Sequence, residues 1–182
     1  MKIPIPILAV QILLIDVVGE MIPLTMLTYD PPEKSIMENP PRSPKDKILA
    51  KETMLGIAFS GTVIGLVAYG AFLYSIFIHP HGASNYERAV TVTFVSIIFG
   101  QYANILSRRT YGNALGKYLF SNKKLLLAFA ASVFCVLLIV YIPVFNLYFH
   151  TSALNAFDWI LPITTGIISL AIFEVKKKIL KR

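Results

Sequence analysis

The chain has 182 residues, of which 55% are hydrophobic and only 15% are charged. Because soluble domains usually carry about 25% charged residues, this composition excludes an ordinary soluble globular domain and predicts an integral membrane protein. The net charge of +7 does not indicate a nucleic-acid partner, since the basic residues lie between apolar runs, and the single cysteine, Cys135, excludes an internal disulfide.

Five apolar segments are long enough to cross a bilayer, which takes roughly 20 residues of helix. They predict an all-α fold, an integral membrane bundle of five transmembrane helices that occupies residues 1–182 as one domain. The predicted spans are residues 7–28, 54–78, 89–106, 125–147 and 157–175, and a Pro-rich cytoplasmic loop covers residues 29–52. The N-terminus lacks a basic region and a small-residue cleavage site, so we expect no cleaved signal peptide.

The first span contains two acids in an otherwise apolar run, LLIDVVGEMIP. Asp16 and Glu20 are spaced i,i+4 and therefore share one face of a helix. A charge at the centre of a membrane helix costs about 2.5–3.5 kcal/mol on insertion scales, so such residues usually line a pathway or have a partner. No Lys or Arg lies in any predicted span. The sequence therefore predicts a shared proton, a bound cation or a basic partner from elsewhere.

A proline follows the two acids and is expected to open the helix. Pro23 has no N–H, so it cannot bond to the carbonyl of Gly19, four residues earlier. Gly19 lies between the acids, and its free carbonyl would join the two carboxylates in an oxygen cage for a hard cation, as broken helices do in transporters. The alternative is that the acids pair with a neighbouring chain and that Pro23 only kinks the helix.

The second and third spans carry weaker signals. Gly61 and Gly65 form a GxxxG motif, which favours close helix packing over a binding site. Gln101 and Asn104 are spaced i,i+3 in the third span. They could add amide oxygens to the cation site, or they could form hydrogen bonds between helices.

Two further groups of polar residues are expected to be solvated. His79 and His81 follow the second span without a carboxylate or thiol beside them, which makes a poor metal site. Glu174 lies beside three lysines at the end of the fifth span and is expected to be a solvated or snorkelling acid.

The connections between the spans alternate in charge. Fifteen of the 17 basic residues lie after the first span, after the third span or in the C-terminal tail. Only Lys2 and Arg88 remain for the other side. The positive-inside rule therefore predicts a multi-pass protein of the cell membrane with its N-terminus outside and its C-terminus in the cytoplasm.

Several stretches resemble P-type (type II) cation-transporting ATPases, the branch that holds the calcium pumps and the sodium–potassium pumps. The stretch QILLIDVVGEMIPLTMLTYDPPEKSIMENPPRSPKDKIL resembles their sixth transmembrane helix and following cytoplasmic loop, and SIMENPPRSPK within it is a specific signal. FGQYANILSRRTYGNALGKYLFSNKKLLLA looks like helix eight and the loop into helix nine, and WILPITTGIISLAIFEVKKKILKR looks like helix ten and its tail. The resemblance covers nearly the whole chain as helices six to ten.

The resemblance implies a set of cation ligands. Asp16 falls on the family's helix-six Asn or Asp ligand, and Glu20 falls on its helix-six Asp ligand. Gly19 falls where many relatives hold a Thr ligand, so that side-chain ligand is lost. Gln101 falls on the helix-eight Glu or Gln that contributes to ion sites in some members, and Asn104 falls where sodium–potassium pumps carry an acid.

The resemblance leaves the ion open. The pair Ile15–Asp16 followed by MIP looks more like the sodium–potassium branch, whereas Glu20 matches neither branch well. The expected cargo is a monovalent or divalent cation or a proton.

The family's catalytic motifs DKTG, TGES and GDGxND do not occur in this sequence. The resemblance therefore implies no ATP hydrolysis by this chain alone, no catalytic residue and no cofactor of its own, with ATP and Mg acting in the intact pump. The implied partners are the lipid bilayer and the N-terminal half of the pump, besides the cation. The alternatives are a non-functional remnant of a truncated pump and a stand-alone small secondary transporter or channel.

Overall fold

The computed structural model describes residues 5–31, 50–78, 83–109, 116 and 119–180, and in this part of the chain all regular structure is helical, with no β-strand. The elements in order are α1 (Ala9–Leu14), a π-helical segment (Ile15–Met21), α2 (Ile22–Met26), a 3-10 turn (Leu27–Tyr29), α3 (Lys51–Ile78), α4 (Ala83–Arg108), α5 (Lys123–Tyr141), α6 (Pro143–Phe149) and α7 (Ile160–Leu180). The all-α prediction is confirmed for these residues.

Most of the Pro-rich loop, including the phrase SIMENPPRSPK, and both His79 and His81 lie outside the described residues.

Among the described residues, four helices are long and apolar enough to cross a membrane: Ala9–Tyr29, Lys51–Phe77, Asn85–Arg108 and Lys123–Tyr141. We call Ala9–Tyr29 the first span. The helix α7 forms at the fifth predicted span, but it is not one of the four, and its last turns contain Glu174 and three lysines. The bundle of membrane-length helices is confirmed for four members, and the fifth span stays a prediction.

The helix of the fourth predicted span ends earlier than its apolar composition suggests. It stops at Tyr141 because Ile142 takes an extended backbone, with φ −86° and ψ 121°. Pro143 then starts the short α6, as the residue before a proline is disfavoured in the helical region.

The helix α4 lies at the centre of the bundle and packs against α3, α7 and the π segment. The lack of a side chain at Gly100 lets α3 pack closely against α4, since a Cβ atom at this position would stand 2.9 Å from Ile64 Cγ2 of α3. The close packing predicted for Gly61 and Gly65 is not found, because a Cβ atom on either would meet nothing within 4 Å among the described residues. The helix α3 approaches α4 through Ile64 instead.

The first span is held at both ends by side chains from distant parts of the sequence. Near its start, the fully buried Gln11 donates through Nε2 to the carbonyls of Phe149 and His150, at 3.2 Å each. Near its end, Asn122 Nδ2 donates to the Met26 carbonyl at 3.0 Å. The irregular middle of the first span therefore lies between two ends that hydrogen bonds hold in place.

Candidate cation site in the first span

The π segment contains both acids and lies in the middle of the first span. In a π-helix each carbonyl bonds to the N–H five residues on, so each turn holds more residues than in an α-helix. Asp16 is exposed on the surface of the described chain, whereas Glu20 is half-buried. The two carboxylates lie close enough to interact electrostatically.

The helix α4 brings Gln101 to this pair. The Gln101 side chain lies beside the Glu20 carboxylate, close enough to stabilise its charge. Its amide has both an oxygen and an NH2 group, so it can donate to the carboxylate or present an oxygen to a cation. The predicted combination of two acids and this amide is therefore assembled by packing between the π segment and α4.

Gly19 is buried where the π segment meets α4. A Cβ atom there would stand 3.1 Å from Ile98 Cγ1, tighter than ordinary van der Waals contact. A side chain would require Ile98 to shift, so this position can offer a cation only its backbone carbonyl. The role of that carbonyl as a ligand stays a prediction.

Asn104 is not brought to the acids. Its Oδ1 accepts a hydrogen bond from Arg108 Nε at 2.9 Å, and the same guanidinium donates to Ser60 Oγ at 3.1 Å. The Asn104 amide thus bonds within α4, and it is Arg108 that makes the polar contact with α3. The interhelical hydrogen bond considered for Asn104 stays a prediction.

Glu174 makes specific contacts while its side chain stays partly exposed. It is paired with Lys177 at 2.7 Å within α7 and accepts from Ser107 Oγ at 3.2 Å. The Ser107 contact joins α4 to α7 near their C-terminal ends.

Two residues outside the predicted ligand set form a hydrogen-bonded chain from other helices to the π segment. Ser132 of α5 donates to the Val18 carbonyl, and Tyr102 of α4 donates to Ser132 Oγ at 2.5 Å. The only sequence signal was a polar residue inside an apolar run, and interhelical hydrogen bonding is the common role of such residues in membranes.

The described residues contain no group of three or more His, Cys, Asp or Glu side chains placed to hold a metal ion. Asp16 and Glu20 form no ion pair with a described basic residue. A cation at this position would therefore need oxygens beyond the two carboxylates, from the amide, from the backbone or from another chain.

The family model and two curated relatives that match this chain all represent cation-transporting ATPases. Residues 4–179 match the family model described as Cation transporting ATPase, C-terminus. The chain is 27% identical over 182 residues to the calcium-transporting ATPase of Bacillus subtilis (strain 168), a match that covers 100% of this chain and 20% of the relative. It is 30% identical over 185 residues to the human calcium-transporting ATPase type 2C member 1, covering 98% of this chain and 19% of the relative.

A sodium/potassium-transporting ATPase also matches. The chain is 24% identical over 216 residues to subunit alpha-4 from Rattus norvegicus, covering 100% of this chain and 21% of the relative. The chain thus spans about one fifth of the length of these curated relatives and corresponds to a C-terminal fragment of them.

Proposed function

Because the chain belongs to the cation-transporting ATPase family and matches its C-terminal part, we propose that it supplies part of the intramembrane cation site of an ATP-driven pump. Asp16 and Glu20 bind the cation through their carboxylates. Gln101 contributes its amide oxygen, and Gly19 contributes its backbone carbonyl.

One observation carries this proposal: the first span is non-α-helical at the point where its two acids lie, and Gln101 of α4 lies beside one of them. Intramembrane acids without a basic partner are usually functional. Irregular backbone at membrane depth is tolerated where it is buried in protein or lines a cavity. A binding site accounts for both the irregular backbone and the two acids. A kink at Pro23 alone gives no reason for acids at this depth.

The ligand chemistry favours a hard cation. Carboxylate, amide and carbonyl oxygens are the ligands of Ca²⁺, which takes 6–8 of them. Several of the relatives are named as calcium-transporting ATPases, so Ca²⁺ is the first candidate. The exposed Asp16 lies on the surface of the described chain, and we propose that the remaining ligands come from the N-terminal part of the pump, which packs there.

The chain takes no chemical part in ATP hydrolysis under this proposal. The motifs for phosphorylation and dephosphorylation are absent from its sequence. Phosphorylation in the rest of the pump moves helices, and that movement changes access to the site.

The proposed orientation places the N-terminus outside and the C-terminus in the cytoplasm. The distribution of basic residues supports it, because 15 of the 17 fall on one side of the alternating spans.

The test is cation-dependent phosphorylation of the pump assembled from this chain and the N-terminal part that its relatives contain. Asp16→Asn and Glu20→Gln should each raise the Ca²⁺ concentration for half-maximal phosphorylation about tenfold or more, since 1.4 kcal/mol of lost binding is tenfold. Glu87→Gln is the matched control, because Glu87 is an exposed acid near the far end of α4. Normal cation dependence in both site variants would refute the proposal, and cation flux through liposomes that hold this chain alone would favour a stand-alone transporter.

A further inference from the structure

We propose that Ser132 is a positioning residue for this cation site. Its hydroxyl takes the place of a backbone N–H that Pro23 lacks, and it thereby holds the π segment in the register that sets the spacing of the two acids. The proposal rests on the function proposed above and deepens it, because it identifies a residue that controls cation affinity and selectivity without touching the cation.

The first step concerns the backbone donor that is missing just after the π segment. Residue 23 lies five positions after Val18, which is the i→i+5 spacing of a π-helix, and as a proline it has no N–H to donate. A carbonyl without a donor is costly inside a membrane, where no water replaces the lost bond. A donor from another helix therefore stabilises the Val18 carbonyl at this point.

Ser132 of α5 is that donor. Its side chain is fully buried, and its hydroxyl donates to the Val18 carbonyl. The contact joins residues that lie 114 positions apart, so it forms only when α5 packs against the first span. The tertiary structure thus supplies a donor to the Val18 carbonyl from a distant part of the sequence.

Tyr102 fixes the direction of this hydrogen bond. A carbonyl can only accept, so Ser132 gives its single proton to Val18, and its oxygen is left to accept from the Tyr102 hydroxyl at 2.5 Å. The Tyr102 ring is held by Phe129 and Phe99, with ring centroids 4.8 Å and 5.7 Å away. The donor hydroxyl is therefore oriented by a packed aromatic ring.

Two adjacent residues of α4 act on the π segment. Tyr102 acts on the Val18 carbonyl through Ser132, and its neighbour Gln101 lies beside the Glu20 carboxylate. Val18 lies midway between the two acids in sequence. Return of this segment to an α-helical register would rotate the acids relative to each other, because the two helix types hold different numbers of residues per turn. Ser132 therefore controls the distance between the carboxylates, and with it the size of cation that fits.

The experiment uses the assembled pump and measures the dependence of phosphorylation on Ca²⁺ and on the larger Sr²⁺. Ser132→Ala should raise the half-maximal Ca²⁺ concentration about threefold to twentyfold, the range expected for loss of one interhelical hydrogen bond in a membrane. It should also reduce the preference for Ca²⁺ over Sr²⁺, while the maximal rate at saturating Ca²⁺ is retained. Ser132→Thr keeps the hydroxyl, so it should leave the half-maximal Ca²⁺ concentration and the preference for Ca²⁺ over Sr²⁺ at their wild-type values.

Two further variants serve as controls. Tyr102→Phe keeps the ring and removes only the donor to Ser132, so we expect a smaller shift in the same direction. Ser169→Ala removes another fully buried hydroxyl, one that has no hydrogen-bond partner among the described residues of this chain, and it should change neither affinity nor ion preference.

The possible outcomes separate this inference from the proposed function. Unchanged affinity and ion preference in Ser132→Ala, with binding still lost in Asp16→Asn, would overturn the positioning role and leave the cation site intact. A loss of yield or thermal stability with unchanged affinity would show a merely structural hydroxyl and overturn it too. If Ser132→Ala cannot be produced, Tyr102→Phe decides, since a shift supports the role and no shift overturns it. Normal behaviour of both acid variants would overturn the site itself.

Discussion

Single residues in this chain differ sharply in how much room the structure leaves them. A Cβ atom would stand 2.9 Å from its nearest neighbour at Gly100 and 3.1 Å at Gly19, whereas at Gly61 it would meet nothing within 4 Å among the described residues. Glycine is required where a neighbouring helix comes close, and two of these three positions face α4 or belong to it. The GxxxG spacing alone does not identify these positions.

Substitution of these glycines by alanine should follow the distances. Gly100→Ala should lower stability by about 1–3 kcal/mol, because overpacking forces Ile64 to move. Gly61→Ala should be neutral or stabilising by up to about 1 kcal/mol, since alanine is the better helix former. Gly19→Ala should fall between them. Thermal unfolding of the assembled protein in detergent gives the order, and a Gly61→Ala variant as unstable as Gly100→Ala would contradict it.

Gln11 is a second residue whose role depends on its surroundings. It is fully buried, its Oε1 accepts from the Leu8 N–H at 3.3 Å, and its Nε2 donates to two carbonyls. All of its polar atoms are thereby satisfied, which removes the desolvation cost of a buried amide. It serves as an anchor for the first span and lies apart from the two acids.

At the scale of elements, the end of the first span is tied to the start of α5 and the end of α4. The Arg109 guanidinium, with a side chain only 2% exposed, forms a two-point contact with Asp30 at 2.8 and 3.0 Å. Asn122 donates to Asp30 Oδ1 at 2.7 Å and caps α5 by accepting from the Leu125 N–H at 3.0 Å. The polar cluster of Asp30, Arg109 and Asn122 therefore lies both at the end of the first span and at the start of α5.

Asn122 gives a test of this junction. Asp and Asn cap helices about equally well, so a role in capping alone predicts that Asn122→Asp is harmless. In the junction, the new carboxylate would lie beside Asp30 and would lose both donated hydrogen bonds. We expect a loss of about 1–3 kcal/mol in thermal unfolding, comparable to that of Asn122→Ala.

Asn122→Ser is the control for the cap, because it keeps an acceptor without adding a charge. Its stability should lie between those of the wild type and Asn122→Asp. Wild-type stability of Asn122→Asp would show that only the cap matters.

At the scale of the whole molecule, one face of the first span has no neighbour among the described residues. Leu13, Val17 and Met21 are each more than half exposed there, as is expected for residues that contact lipid or further helices. Asp16 is exposed in the same span. An acid beside apolar exposed residues is costly in lipid, which supports the proposal that other helices of the pump cover this face.

The orientation of the whole molecule can be tested by labelling with a membrane-impermeant maleimide. A Cys135→Ala background removes the single cysteine. Ala156→Cys lies at an exposed position between α6 and α7, and Phe120→Cys lies at an exposed position before α5. We expect label on position 156 in intact cells and on position 120 only after permeabilisation. The reverse pattern would contradict the proposed topology.

Much of the fold could be predicted from the sequence, because a bilayer admits few structures. Long apolar runs must be helical, since every backbone group must bond within its own segment. The same rule does not decide two details. The helix of the fourth span stops at Tyr141 because of Pro143, and a Cβ atom on Gly61 or Gly65 would meet nothing within 4 Å among the described residues. The apolar content of a segment does not show where its helix ends or which side of the helix packs against a neighbouring helix.

The sequence by itself determined the membrane character, four of the helical spans, the irregular backbone near Pro23 and the two acids beside it. These follow from the chemistry of single residues and their spacing along one chain. Only the tertiary structure decided that the irregular backbone is a π segment, that Gln101 rather than Asn104 lies beside Glu20, and that Ser132 donates to the Val18 carbonyl. Those contacts depend on which faces of separate helices meet, because packing across α4 and α5 joins residues that lie far apart in the sequence.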